Sequence, residues 1–391
     1  MSKVRVLEII SGFAIEGPLG GIERFGIELA QALDRSTIEP IVCGMWSYAT
    51  PYEQNWVAFL QDHGIDAFIA APWQESHPTA SFWNAYKGVK QRNLPSVDII
   101  HSHCQFGDVL ALLLKRPLKA KALVRTVHNE REWAKRPLRR LLLTNGLYPW
   151  RFDCELGVAQ KVVDNLDQRL VARFLKQRAI RGYNALNLNR FTHMDVNLPA
   201  KRQSLGIPSA APVIGSIGRL TEQKGYGVLL AAVPQILRNI PDAFFLIVGT
   251  GELEESLHHQ VQEYGLNNRV IFTGARPDVE ELLAVMDVFV NSSLWEGLPT
   301  VIMESMAAGV PVVATQVAGN LELIQPGETG LLVPAHDAPA LAEAIIQLLT
   351  MPELIKAAMV ARARRFVEEH FSITAVAHQH DHLYQQLSRP A

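Results

Sequence analysis

The sequence predicts an α/β fold of two doubly wound, parallel-sheet domains in series. Three observations carry that prediction. Short β-branched or apolar runs alternate with longer helical patterns, the rhythm restarts after an irregular segment in mid-chain, and the chemically suggestive motifs fall where strands give way to helices.

Taken in order, "VRVLEII" reads as a first buried strand and "GIERFGIELAQALD" as the helix that follows it. The alternation continues through "EPIVCGM", "NWVAFLQDHG", "DIIHSH", "FGDVLALLLKR" and "ALVRTVH". Between these, "GMWSYATPYEQN" and "APWQESHPTASFW" read as irregular loops whose aromatics either stack on sugars or cap a core. The segment from Arg181 to Pro212, rich in Asn, Pro and Ser, has little periodicity and reads as a linker. After it come "APVIGSIGRL", "GYGVLLAAVPQILRNI", "AFFLIVGTG", "ELEESLHHQVQEYG", "RVIFTGA", "DVEELLAVM", "VFVNSS", "PTVIMESMAAG" and "VPVVAT", a second set of the same units. The predicted domains are residues 1–190 and 191–371.

At 391 residues, 48% hydrophobic and 19% charged, the chain exceeds what one core usually organises, which agrees with two domains. No run approaches the roughly 20 apolar residues of a membrane span, and the first apolar stretch is too short for a signal peptide. Three scattered cysteines, Cys43, Cys104 and Cys154, offer neither a disulfide framework nor a zinc spacing, so a reducing cytoplasm is expected.

The net charge of -2 conceals an asymmetry: 25 Lys/Arg face 18 Asp/Glu up to Arg190, and 12 face 21 beyond it. The basic excess concentrates between Lys115 and Arg151, interleaved with Trp133, Leu141 to Leu143, Tyr148 and Trp150. Such a stretch is either a peripheral contact with an anionic membrane, at the inner face of the cell membrane, or a solvated helix face over a core edge. No nucleic-acid partner is expected.

In open α/β sheets ligands lie beyond the carboxyl ends of the strands, so two such domains facing each other are expected to form one deep cleft. In "LWEGLPTVIMESMAAGVPVVAT", Glu296 falls on the loop after a strand, and a helix is predicted to begin near Pro299 or Thr300. Glu304 lies about five residues into that helix, its side chain leaning back toward the N-terminus. Free N–H groups around Leu298 to Val301, beside Gly297, favour a phosphate. Carboxylates repel phosphate but accept hydrogen bonds from hydroxyls, and a nucleotide sugar carries both groups. Within "GRLTEQKGY", Arg219 and Lys224 flank a strand-to-helix turn and can neutralise a diphosphate.

In the first half, Gly17, Gly20 and Gly21 form a glycine turn between first strand and first helix, without the spacing of a P-loop or dinucleotide fingerprint. His101 and His103 share a strand face, and His128 ends another strand. His378 and His382, one helical turn apart beside Asp381, have metal-pair spacing but no evident further ligand, so no metal is expected.

The pairing of "EGLPTVIMESMAAGVPVVAT" with "GRLTEQKG" resembles the retaining glycosyltransferases of family 4, with the GT-B fold of two Rossmann-like domains, over essentially the whole chain. The resemblance implies that Glu296 binds the donor sugar's hydroxyls, Glu304 the ribose hydroxyls, and Arg219 with Lys224 the diphosphate. It implies that Gly20 and Gly21 approach the diphosphate, that His128 helps to position the donor sugar, and that His103 is a cleft histidine on the acceptor side. The last helix, about 372–391, would return to the first domain. Two departures from the family are Asn184-Ala185 in place of Asn-Gly and Ala318-Gly319 in place of Gly-Gly.

The expected reaction is hexose transfer from a nucleoside-diphosphate sugar, UDP favoured and GDP allowed, to a saccharide or lipid-linked acceptor in cell-surface polysaccharide or glycolipid synthesis. Without an Asp-x-Asp motif, and with Arg219 and Lys224 to stabilise the leaving diphosphate, no metal or other cofactor is expected. Two rivals are an inactive nucleotide-sugar-binding protein on the same scaffold and an NAD(P)-linked dehydrogenase. The latter lacks a G-x-G-x-x-G after either first strand.

Overall fold

A computed structural model describes residues 3–15, 20–128, 132–133, 136–191 and 196–389. The chain divides into two compact units, residues 1–186 with 373–391, and residues 187–372. The division falls between Leu186 and Asn187, a few residues before Arg190.

The first unit contains one parallel sheet of β1 (Val4–Ile10), β2 (Ile38–Ser47), β3 (Asp66–Pro72), β4 (Ile99–Ser102), β5 (Ala122–Val127), β6 (Cys154–Gly157) and β7 (Ile180–Arg181). Their order is β3-β2-β1-β4-β5-β6-β7, so the winding reverses between β1 and β4. These strands are mostly apolar because helices cover both faces of the sheet, with Glu8, Arg125 and Glu155 as buried charges among them. Leu7, Ile9, Ile41 and Ile100 pack to one side, and Val6, Ile99 and Val124 to the other.

The last helix, Ile373–Ser388, completes that second face: Val376, Ala377 and Tyr384 pack with Val6, Phe25 and Leu29. A chain that leaves the unit at Leu186 thus returns to close its core.

The two segments read as irregular loops are largely ordered elements. Gly44 to Ser47 finish β2, Glu53–Asp62 and Pro78–Gln91 are helices, and β3 lies between them. Polar residues at the helix starts and the proline at Pro78 masked the pattern, although Pro in the first turn is a helix signal. Of the aromatics there, Trp46 is buried in the core, 4.7 Å from Trp73 between ring centroids, whereas Tyr52 and Trp83 are exposed.

The second unit contains β8 (Val213–Ile217), β9 (Phe244–Val248), β10 (Val270–Phe272), β11 (Val288–Asn291), β12 (Val312–Thr315) and β13 (Leu331–Val333), in the order β10-β9-β8-β11-β12-β13 and all parallel. Here the winding reverses between β8 and β11. Helices Tyr226–Asn239 and Ala338–Thr350 cover one face through Leu229, Leu230, Val233, Leu341 and Ile345. Fully burying each such side chain contributes about 1.5–3 kcal/mol.

Among the described residues no single helix is long and apolar enough to cross a membrane. Together the two sheets make the protein α/β, with two Rossmann-like, doubly wound parallel domains.

Candidate active site

In the second unit, the switch point lies between the carboxyl ends of β8 and β11, the place where open α/β sheets bind ligands. After β8 the chain runs through Gly218 and Arg219 into the short turn Glu222–Lys224, which ends on Gly225 in the left-handed conformation at φ 60°. Glycine is required there twice over: the backbone angle disfavours a side chain, and a Cβ would sit 2.2 Å from the Ser292 carbonyl oxygen. That close approach packs the turn against the loop after β11.

Across this contact Lys224 Nζ donates to Glu296 Oε1 at 2.6 Å. Ser293 Oγ donates to the same oxygen at 2.6 Å, and Gln223 Nε2 reaches Glu296 Oε2 at 3.2 Å. Glu296 is 5% exposed, so its charge is held by an ammonium and two neutral donors, as burial of a carboxylate demands. The loop is anchored further by Leu294 N to Gln223 O at 2.7 Å and Ser292 Oγ to Lys224 O at 2.9 Å. Arg219 is exposed and makes no ion pair among the described residues.

The helix after this loop spans Thr300–Ala307 with Pro299 at its N-cap, at the predicted start. Gly297, Leu298, Pro299 and Val301 are buried and Thr300 is half-buried. Glu304 is half-buried on that helix and faces Arg190 Nη1 at 3.7 Å, while Arg190 Nε donates to Glu280 at 2.6 Å. Lys224, Gln223, Ser293 and Glu296 therefore form one cluster, and Glu304 belongs to a second ion-paired group.

Gly319, at a departure from the family pattern, stands against the same loop: a Cβ there would meet the Gly297 carbonyl oxygen at 2.1 Å. Of the pair Ala318-Gly319, the glycine that the packing needs is the one retained.

In the first unit, Gly20 caps helix Gly21–Ala32, and the Glu23 carboxylate accepts from the Gly20 N–H at 3.1 Å. Gly17 lies outside the described residues. His103 follows β4 and is 1% exposed. Its Nε2 bonds Glu8 Oε2 at 2.8 Å. Glu8, in the middle of β1, also accepts from Tyr384 of the last helix at 2.8 Å. His101 lies between Tyr384 and Thr126, at 2.6 and 2.8 Å.

Ligand-capable atoms of Glu8, His101 and His103 lie within 4.8 Å of one another, a cluster that the sequence reading missed. The signal was a lone acid inside an apolar strand. Burial alone would raise the Glu8 carboxyl, but His101 and His103 override it and hold it far below the usual range. His378 and His382 are exposed on the last helix, and Asp381 accepts from the Asp34 N–H at 3.1 Å.

His128 follows β5 and is 7% exposed, with neither ring nitrogen in a hydrogen bond of good geometry. Burial, reinforced by His103 and His101, pushes its imidazole well below the ordinary range, so it is neutral.

A family model described as "Glycosyl transferases group 1" matches residues 198–366, and one described as "Glycosyltransferase Family 4" matches residues 19–172. The D-inositol 3-phosphate glycosyltransferase of Corynebacterium jeikeium is 30% identical over 370 residues, covering 86% of this chain and 85% of that protein. The UDP-Gal:alpha-D-GlcNAc-diphosphoundecaprenol alpha-1,3-galactosyltransferase of Escherichia coli is 28% identical over 68% of this chain and 70% of that protein. The lipopolysaccharide core biosynthesis glycosyltransferase LpsE of Rhizobium meliloti is 38% identical over 41% of this chain, so the match spans under half, 46%, of that relative. Among solved structures, Anabaena HepE in complex with UDP and glucose superposes with a TM-score of 0.80 at 21% identity, over 98% of this chain and 100% of that one. The sucrose-phosphate synthase of Thermosynechococcus elongatus gives 0.80 at 23% identity, over 98% and 99%. These two share the fold.

Proposed function

Because the chain belongs to the glycosyltransferases of family 4, we propose that it moves a hexose from a nucleoside-diphosphate sugar to a saccharide or lipid-linked acceptor, with retention of anomeric configuration. The observation that carries this reading is the Lys224–Glu296 pair at the switch point of the second sheet, braced by Ser293 and Gln223.

The chemistry follows from charge. Breaking a sugar–phosphate bond leaves positive character on the anomeric carbon and negative charge on the departing diphosphate, so cations fixed before the reaction stabilise the transition state most. Arg219, exposed at the end of β8, and Lys224 supply that charge. Glu296 accepts from sugar hydroxyls with the lone pairs that Lys224 and Ser293 leave free, and the N–H groups at Leu298 to Val301 face phosphate. Glu304 takes the ribose hydroxyls, and His128, held neutral, positions the donor sugar as a hydrogen-bonding group without charge.

In this reading the donor is a UDP-sugar, with a GDP-sugar as the other option. The E. coli relative's name specifies UDP-Gal, and a mannosyltransferase of Corynebacterium glutamicum, 36% identical over 44% of this chain, is named as GDP-mannose-dependent. The product belongs to cell-surface polysaccharide or glycolipid synthesis at the cytoplasmic side of the membrane.

No metal is needed where Arg219 and Lys224 neutralise the diphosphate. Assaying nucleoside diphosphate release from UDP- and GDP-sugars, with and without a chelator, tests both parts. Lys224→Ala should lower turnover by about 10²–10³-fold, the range found when one transition-state donor is removed. Wild-type turnover in Lys224→Ala, or chelator inhibition reversed by added metal, refutes the assignment.

A further inference from the structure

Arg190 belongs to the segment that reads as a linker, just after the division at Leu186, yet its side chain is fixed within the second unit. It ends the short turn Leu188–Arg190, which Asn187 sets. The Asn187 side chain accepts from the Asn189 N–H at 3.2 Å, and its carbonyl accepts from the Arg190 N–H at 3.3 Å. The guanidinium carbon lies 5.3 Å from the ring centroid of the buried Phe191, within cation–π range.

Two acids from two helices flank that guanidinium. Glu280, in the first turn of helix Val279–Ala284, accepts from Nε at 2.6 Å and also engages Nη2. This helix start is itself pinned, because Lys201 bridges Asp278 and Glu281. Glu304, in the second turn of helix Thr300–Ala307, faces Nη1 at 3.7 Å.

The two spacings differ in consequence. At 2.6 Å a donor occupies a lone pair of the carboxylate. At 3.7 Å, beyond hydrogen-bond range, a cation balances the charge and leaves the lone pairs to other donors. The Glu304 side chain is 13% exposed, a depth at which an ionised carboxylate needs a cation nearby. Glu296 stands in contrast, gripped directly by Lys224 at 2.6 Å.

We propose that Arg190 is a positioning residue for the donor's ribose. Anchored on Glu280 and Phe191, it balances and orients the Glu304 carboxylate, which then accepts from the vicinal 2′- and 3′-hydroxyls. Glu280 matters as much as the cation, because by holding Nε and Nη2 it keeps the guanidinium from closing on Glu304 and competing with the hydroxyls. The inference rests on the donor reading above, in which Glu304 takes the ribose hydroxyls, and adds to it a residue from outside the motifs.

The test is calorimetric titration of the intact protein with UDP against 2′,3′-dideoxyuridine diphosphate, and with the matching guanine pair. For at least one base the wild type should bind the ribonucleotide about tenfold or more tightly, as hydrogen bonds to a charged acceptor imply. Arg190→Gln, which keeps a donor for Glu280 but no charge, should narrow that ratio severalfold and leave the dideoxynucleotide's affinity nearly unchanged. A merely structural loss would weaken both members alike. Arg190→Lys, which keeps the charge, should retain a larger ratio than Arg190→Gln. In a Glu304→Gln background Arg190→Gln should change the ratio no further, since the effect runs through that carboxylate. If Arg190→Gln fails to fold, Glu280→Gln decides: with its anchor weakened the guanidinium closes on Glu304, and the ratio should narrow likewise. A wild-type ratio in the variant that decides, or equal weakening of both nucleotides, overturns this proposal alone. Equal binding of both nucleotides by the wild type removes the ribose role of Glu304 and this inference with it, whereas a wild type that binds neither base refutes the donor assignment itself.

Discussion

Lys224 and Glu296, 72 positions apart, meet at 2.6 Å because the loops after β8 and β11 adjoin at the point where the sheet's winding reverses. Both were legible in the sequence, since a strand-end cation and a strand-end acid in a parallel sheet point to the same edge. Their supports were not. Ser293 and Gln223 carry no distinctive spacing, and the pairing of Glu304 with Arg190 needed the linker's path through space. His128 was read as a strand-end histidine, yet its protonation state depends on neighbours that the sequence scatters. That state has a measurable sign. With its folded pKa below the ordinary histidine value of about 6.5, the unfolded chain binds more protons once pH falls below that value, so stability contributed by neutral His128 is full above it and lost beneath it. Thermal unfolding at pH 7.5 and 5.5 should therefore show a smaller acid-induced loss in His128→Gln than in wild type. An equal or larger loss would contradict a neutral buried imidazole.

Helices and strands with strong periodicity were read correctly, because an amphipathic face repeats whatever its context. Helix Thr300–Ala307 starts where Pro299 predicted, and β1, β2, β8 and β9 coincide with their apolar runs. What escaped was short or polar: β7 has two residues and β13 three, and helix Pro78–Gln91 begins among polar residues. Element packing also explains a sequence peculiarity. Helix Ala318–Leu323 presses Gly319 onto the loop that carries Glu296, leaving no room for a Cβ beside Gly297. Gly319→Ala must displace that backbone, and overpacking of this kind typically costs about 1–3 kcal/mol. We expect a lowered melting temperature together with weakened nucleotide binding. Unchanged values in both would show that the loop yields freely.

At the scale of the molecule, charge is uneven along the chain, with a basic excess up to Arg190 and an acidic one beyond it. In the first unit the segment Arg140–Leu147, wound as a π-helix, adjoins helix Leu170–Leu175 around a groove of about 640 Å³ lined by Arg140, Leu141, Lys161 and Leu170. Leu141, Leu142, Trp150, Leu170 and Phe174 are exposed, the last two by 81% and 86%, beside Arg139, Arg140, Arg151 and Arg173. Exposed apolar side chains interspersed along the chain with exposed arginines suit an anionic bilayer surface, and we propose a peripheral membrane contact there, extending the predicted 115–151 stretch to residue 175. Leu143 is half-buried while Trp133 and Tyr148 lie inside, so only part of that stretch faces outward. Vesicles containing phosphatidylglycerol should bind the protein at low salt and release it as salt rises. Phe174→Glu should weaken that binding, and a wild type that ignores such vesicles would refute the contact.

The claim on which the account depends is that Lys224 and Glu296 form the donor's diphosphate and sugar site. Calorimetric titration of UDP, and of GDP, into wild type and Lys224→Ala measures it most directly. The account predicts a wild-type affinity for one of the two nucleotides that falls by about tenfold or more in Lys224→Ala, as expected for loss of a charge-assisted contact worth about 1.5–3 kcal/mol. The same affinity in both proteins, with the variant's circular dichroism unchanged, would contradict it.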